Sequence, residues 1–246
     1  MKLNWYNNSI NKLAHSFSLD SWLLGLILNY MRTLQVPKQN VSQLETVFDK
    51  IKMLHEAGME APIDQVNWKD DFPKSLPVTV RVAHDGEILY LYYMVVGEAI
   101  RAVNTEDFGS VWEDSCVEFF MQREGESIYR NFECNILGVL LSRKNIAKGK
   151  GDSQTDEMPS IYRYATVCHR YEGDRQVSDW SIYLEIPKSA MGFGVQESLS
   201  GQKIRANFYK CGDETPEPHF LSWNPIDLPE PNFHVPQFFG ELNFEQ

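Results

Sequence analysis

The side chains in this sequence best placed to do chemistry are carboxylates, tryptophans and cysteines set in or beside short β-forming runs. Glu118 lies between Val117 and Phe119, on the face shared by Cys116 and Phe120. By the two-residue period of a strand, Glu133 occupies one face of the next run together with Asn131 and Asn135. Facing carboxylates have a sharp use, as the acid pair of a glycoside hydrolase acting through Glu118 and Glu133. Two buried acids side by side instead share a proton or recruit a cation. No nucleophile or metal set accompanies the pair, so turnover has no second support. The structural alternative for Glu118 is a buried carboxylate that fixes the sheet through Arg205 or Lys210.

Trp112 follows Gly109-Ser110 and precedes Glu113-Asp114, while Trp223 stands between Ser222 and Asn224-Pro225. Such polar flanks mark loops, where function concentrates, so each ring reads as a ligand platform against the alternative of a core residue beside a strand. Trp68 and Trp180 read as core or scaffold. Asn207 and Lys210 sit in the run leading toward Trp223; either they point into the same cleft, or Asn207 ties a bulge and Lys210 is solvated. The six histidines show no HxH or HExxH spacing, and Ser115 and Ser222 lack a nucleophile elbow. No catalytic metal or cofactor is called for. Cys116, Cys134, Cys168 and Cys211 lack CxxC spacing and read as reduced and buried; in an oxidising compartment Cys116 with Cys134 would be the first candidate pair.

These groups sit in a chain of 246 residues with a formal net charge of -11. That field repels phosphate, and no basic patch overcomes it, which argues against nucleic acid as a partner. Aromatic residues make up 13% of the chain, more than a core of this size needs, so some rings are expected at a surface. The apolar run from Trp22 to Leu28 is too short to span a membrane and a poor match to a secretory signal. Residues 1–30 read as an N-terminal extension, or an over-long start, that does not join the core.

From Val41 to Ala57 apolar residues recur at three and four, with Ser42-x-x-Glu45 as a capping box, predicting one amphipathic helix within a lead-in of residues 31–70. Beyond it the period changes to two. Val78, Val80 and Val82 lead through Asp85-Gly86 into Ile88–Val95, a hairpin. Strands are predicted over 116–121, 129–135, 139–142, 161–169, 180–186, 204–210 and 239–244, with a polar loop over 144–160. Strands without intervening helices predict an all-β, two-sheet antiparallel sandwich over residues 71–246.

Four segments, taken together, resemble carbohydrate-binding modules of family 9: Val111-Trp-Glu-Asp-Ser-Cys-Val-Glu118-Phe-Phe, Asn131-Phe-Glu-Cys-Asn135, Trp180-Ser-Ile-Tyr-Leu-Glu-Ile-Pro187, and Arg205-Ala-Asn-Phe-Tyr through Leu221-Ser-Trp223-Asn-Pro to Phe233–Gly240. The order holds from about Asp64 to the carboxyl end. The resemblance implies a jelly-roll-like sandwich that binds mono- or oligosaccharide without cleaving it and serves polysaccharide breakdown. Carried over by position, Trp112 and Trp223 clamp a sugar ring and Glu118 accepts from its hydroxyls. Where the family commonly has an arginine in the following strand, this chain has Glu133, an acceptor in place of a donor fork. Structural calcium is a family trait, but the acidic turns here, such as Asp85 with Glu87, are too sparse to place it. A protein-interaction sandwich with an aromatic patch remains the third reading, and the sequence leaves the oligomeric state open.

Overall fold

The structure is a computed structural model that describes residues 31–41, 43–146, 152–153 and 158–246. The readings of residues 1–30 and of Ser42, and most of the segment 147–157, lie outside the described residues. Residues 32–246 form one compact unit.

The chain runs through β1 (Thr33–Val36), the single helix α1 (Val47–Ala57), β2 (Met59–Pro62), β3 (Gln65–Val66), β4 (Val78–His84) and β5 (Ile88–Glu98). There follow β6 (Cys116–Arg123), β7 (Ile128–Asn135), β8 (Leu140–Ile146), β9 (Asp152–Ser153) and β10 (Tyr162–Glu172). Last come β11 (Arg175–Pro187), β12 (Lys203–Cys211), β13 (Phe220–Ser222) and β14 (Gly240–Phe244). They build the expected two-sheet sandwich. The first sheet has the order β1-β14-β12-β6-β7-β8-β9, with β13 and β3 attached to β12, and the second runs β10-β11-β5-β4-β2. Pairing is antiparallel apart from β1 with β14, which makes the first sheet mixed.

Alternation decides which faces meet. Val78, Val80 and Val82 of β4, Leu89, Leu91 and Tyr93 of β5, and Val117, Phe119 and Met121 of β6 all point between the sheets into one core. Burying apolar surface on this scale, at about 25 cal/mol per Å², is what holds the sheets face to face. The β4–β5 turn is built around Asp85, whose Oδ1 accepts from the backbone N–H of Glu87 and Ile88, while Gly86 adopts a φ of 99° that other residues resist.

The helix starts later than the period predicts. Thr46 is its N-cap, accepting from the Asp49 N–H while the Asp49 carboxylate accepts from the Thr46 N–H, so the capping box is Thr46–Asp49 and not Ser42–Glu45. The helix covers the outer face of the second sheet, burying Leu54 with Ala83, Tyr90 and Tyr183.

A third apolar cluster lies on the outer face of the first sheet, where Cys116, Phe120, Tyr129, Leu141 and Tyr209 are covered by the segment carrying Ile226, Phe233 and Val235. This cover buries β6 on both faces. The proposed Cys116–Cys134 pair is ruled out by register, because Cys116 pairs with Asn135 and Cys134 with Val117, so the two thiols point to opposite faces. All four cysteines are free, and Cys168 is exposed on β10, not buried as the sequence suggested.

Candidate functional site

The outer face of the first sheet, beside that third cluster, carries a cavity of about 370 Å³. This volume lies toward the small end of the ~300–1,000 Å³ range of small-molecule sites. Register assembles its floor. Glu118 of β6 stands opposite both Glu133 of β7 and Tyr209 of β12, Asn131 stands opposite Arg143 of β8, and Cys211 stands opposite Cys116. Glu118, Glu133, Asn131, Leu141, Arg143 and Cys211 line the cavity from below; Trp112, Asp213, Phe220, Phe233 and His234 complete it.

Trp112 reaches the site from the loop between β5 and β6, and that loop is fixed by one buried carboxylate. Asp114 accepts from the Arg101 guanidinium at 2.5 Å, from the backbone N–H of Val103 and Asn104, and from the Asn135 amide at 3.0 Å. Burial works to raise the Asp114 pKa, but the N–H groups of Asn104 and Val103 and the amide of Asn135 hold it below the usual carboxylate value. The Trp112 carbonyl accepts from the Asp213 N–H, tying the ring to the end of β12. The indole is half-buried. Across the cavity lining, Phe233 stacks on Tyr209 with ring centroids 4.0 Å apart, and His234 Nδ1 shares a hydrogen bond with the Tyr129 hydroxyl.

The floor is acid-rich and its carboxylates are buried. Glu118 and Glu133 are each 3% exposed. Glu118 Oε1 accepts from the Cys211 thiol at 3.0 Å, and Glu133 Oε1 accepts from the Asn131 amide, whose own oxygen accepts from Asn145. Burial, reinforced by Cys211 and Glu133, keeps the Glu118 carboxyl well above the usual range. Burial also pushes Glu133 up to about 7, against the Asn131 hydrogen bond and the Arg143 charge, and lifts Asp213 to about 6. At neutral pH the floor therefore offers both donors and acceptors, because a protonated carboxyl supplies one O–H. Among the described residues the Arg143 guanidinium makes no hydrogen bond or ion pair, and its buried Nε is unpartnered. Arg143 thus sets a donor fork at the cavity from β8, the strand beyond Glu133.

Of the residues singled out from sequence, the structure brings Trp112, Glu118 and Glu133 together and leaves Trp223, Asn207 and Lys210 aside. Trp223 is 2% exposed and packs in the sandwich core, its ring edge-on to Phe208. Its six-membered ring lies where a Cβ on Gly240 would come within 2.5 Å, so Gly240 is what admits it. The polar neighbours Ser222 and Asn224 that suggested a loop turn their polar atoms to buried backbone and side chains. Asn207, fully buried, donates to the Asn224 carbonyl and accepts from the Asn224 and Phe208 N–H groups; it ties the chain after β13 to β12, with no bulge in the β12–β6 register. Lys210 is neither solvated nor in the cavity. It points inward and donates to Glu98, to His219 Nε2 and to the Cys211 carbonyl, and neither it nor Arg205 pairs with Glu118.

Arg143 and Asp213 escaped the sequence reading, which also took Phe233 only as part of a family segment and His234 only as a structural histidine. For Arg143 a signal existed: Leu141, Arg143 and Asn145 alternate on one face, but the predicted strand stopped at Ser142, whereas β8 continues to Ile146. Asp85 and Glu87 do not fit a calcium ion, because Asp85 caps its own turn and accepts from the Tyr90 hydroxyl while Glu87 pairs with Lys188. Among the described residues no helix is long and apolar enough to cross a membrane.

Comparison with known proteins adds to this geometry. The sequence profile of the family described as carbohydrate-binding family 9 matches residues 47–244. The crystal structure of a candidate carbohydrate-binding protein from Bacteroides uniformis superposes with a TM-score of 0.78 at 38% identity, covering 87% of this chain and 100% of that one. Family 9 modules from Caldicellulosiruptor kristjanssonii, one solved with glucose and one with cellotriose, superpose with TM-scores of 0.53 and 0.54 at 9% identity. They cover 87% of this chain and 96% and 94% of theirs, and at that identity the likeness is one of fold. No curated protein matches the chain.

Proposed function

The chain belongs to carbohydrate-binding family 9, and from that premise we propose that it binds a mono- or oligosaccharide, without cleaving it, in the cavity on the outer face of the first sheet, as an aid to polysaccharide breakdown. The observation that carries this reading is a half-buried indole, held on a braced loop, beside a floor of hydrogen-bonding groups. A pyranose has weakly apolar C–H faces and a rim of hydroxyls, so it needs a flat ring for the one and fixed polar groups for the other. Trp112 supplies the ring, the largest flat face a side chain offers, with Phe220 and Phe233 as further apolar lining. Glu118, Glu133, Asn131 and Arg143 meet the rim. A second tryptophan has no part in it, because Trp223 belongs to the core.

The hydrolase reading is weaker than binding. Glu118 and Glu133 sit side by side on the floor, each already holding a neighbour's proton or amide, and the family to which the chain belongs is one of carbohydrate-binding proteins. The ligand class is glucose-like sugar, by fold analogy with the modules solved with glucose and cellotriose. Isothermal titration with glucose, cellobiose, cellotriose and a panel of other hexoses tests this. The expected result is saturable binding in the micromolar to millimolar range, about -4 to -8 kcal/mol, with no reducing sugar released. Absence of heat from every saccharide sinks the proposal.

A further inference from the structure

Two cysteines and one carboxylate at the edge of the cavity floor stand close enough to share one ion. Cys116 and Cys211 are direct partners across the β6–β12 pair, and Glu118 follows Cys116 by one strand period on the same face. One ligand atom from each residue, two sulfurs and a carboxylate oxygen, all lie within 4.8 Å of one another. A tetrahedral zinc-type site, with metal–sulfur bonds of about 2.3 Å and metal–oxygen bonds of about 2.1 Å, has ligand-to-ligand edges of roughly 3.6–3.8 Å. The three side chains can therefore close on an ion through side-chain torsions alone. We infer that Cys116, Glu118 and Cys211 bind a single divalent cation of the zinc class, with the fourth coordination position open to the cavity.

Three features separate this cluster from an ordinary buried thiol. Cys134, in the sandwich core, does what a hydrophobic cysteine does: its thiol meets only the next backbone carbonyl, as the Cys116 thiol also does. The Cys211 thiol instead donates to Glu118 Oε1 at 3.0 Å, a contact in which the shared proton already occupies the place of a shared ion. Glu118, Glu133 and Asp213 all line the cavity, and among the described residues no lysine or arginine lies within ion-pair distance of any of them, although Arg143 shares the lining and Lys210 donates to the Cys211 carbonyl. Finally, two sulfurs with one oxygen select borderline and soft metals over calcium or magnesium, whose sites are built of oxygen. On binding, the two thiols and the Glu118 carboxyl each give a proton to solvent as the sulfur–metal and oxygen–metal bonds form, and no electrons change hands. Cys211 and Glu118 line the cavity, so water or a ligand hydroxyl reaches the fourth position from there. The inference does not require the saccharide reading, although the two share Glu118 and the cavity.

Cobalt(II) is the probe, added to the reduced full-length protein. One equivalent should produce thiolate-to-cobalt charge-transfer absorption in the near ultraviolet and the intense visible bands of a tetrahedral site, both displaced by zinc(II). Cys168→Ser removes the exposed thiol and should leave the spectrum intact. Cys116→Ser and Cys211→Ser should each remove at least about half of the charge-transfer intensity, one thiolate of two, in variants shown by circular dichroism to be folded. No charge-transfer band in the folded wild type, or its loss in Cys168→Ser, or its full retention in either site variant, overturns the inference. Should a site variant fail to fold, the wild type and Cys168→Ser decide between them.

Discussion

Glu118 and Glu133 face each other directly across the β6–β7 pair, and neither has a cation within ion-pair distance among the described residues. Burial holds Glu133 up to about 7, so at pH 8 the folded protein keeps an ionised carboxylate in the floor with no cation paired to it, which is destabilising. Such a pair persists where a site needs it. Glu133→Gln keeps an oxygen for the Asn131 amide and removes the charge. Its thermal midpoint at pH 8, measured with a chelator present, should rise by a few degrees while saccharide affinity falls, the trade expected where function is held against stability. A variant less stable than the wild type would show that the pair is structural.

The two tryptophans that looked alike in sequence should behave differently. Trp112→Ala removes a half-buried ring at the cavity and should abolish measurable saccharide binding with little change in thermal midpoint. Trp223→Ala empties a core site packed against Phe208 and Gly240, which costs about 3–5 kcal/mol and lowers the midpoint by about 10 °C. Differential scanning calorimetry beside titration separates the two. Equal loss of binding at equal stability would restore a two-tryptophan clamp.

Much of this was legible in the sequence, and the reason is the period. Val78, Val80 and Val82 alternate because one face of β4 meets the core, so the hairpin and its neighbours announced themselves. Trp112, Glu118 and Glu133, singled out by motif and by alternation, all line the cavity. Trp223 was misread because flanking polarity reports the neighbours' side chains, not the ring's, and Ser222 and Asn224 spend their polar atoms on buried partners. Arg143, Asp213 and His234 come from strands and loops far apart in sequence, brought together only by the register of β7 with β8 and by the cover over the outer face.

Arg143 should be the strongest single polar contributor to binding after the aromatic wall. Its guanidinium is free among the described residues, and a hydrogen bond to a charged donor contributes about 1.5–3 kcal/mol. Arg143→Met should weaken saccharide binding about tenfold to a hundredfold, with stability nearly unchanged or improved because the unpartnered Nε disappears. Unaltered affinity by titration would place the bound sugar away from β8.

The Lys210–Glu98 pair, between the sheets, should behave as a buried ion pair whose halves need each other. Lys210 Nζ is 2.9 Å from Glu98, which also accepts from the Trp180 indole N–H, and both side chains are essentially unexposed. Lys210→Met strands the Glu98 charge and should cost about 3–5 kcal/mol in urea unfolding. Adding Glu98→Gln to Lys210→Met should recover part of that loss. A double variant as unstable as the sum of its singles would mean the two groups act independently.

His84 sets an acid limit on stability. The side chain is fully buried, edge-on to Phe244 at 5.1 Å, and both ring nitrogens lack partners. Burial first, then the Lys38 charge, lowers its pKa from 6.5 to about 4. Between those values the unfolded chain takes up a proton that the folded chain refuses, so stability is complete above about pH 6.5 and is lost as pH falls toward 4. From pH 8 to pH 5 this one residue should account for about 2 kcal/mol of the loss. His219, lowered to about 2 by burial and by Lys210, adds its own share, so the loss will not vanish when His84 is replaced. His84→Phe keeps a ring against Phe244 and removes the titration. The difference in unfolding free energy between pH 8 and pH 5 should shrink by about 2 kcal/mol in the variant; an unchanged difference would mean that His84 is protonated alike in both states.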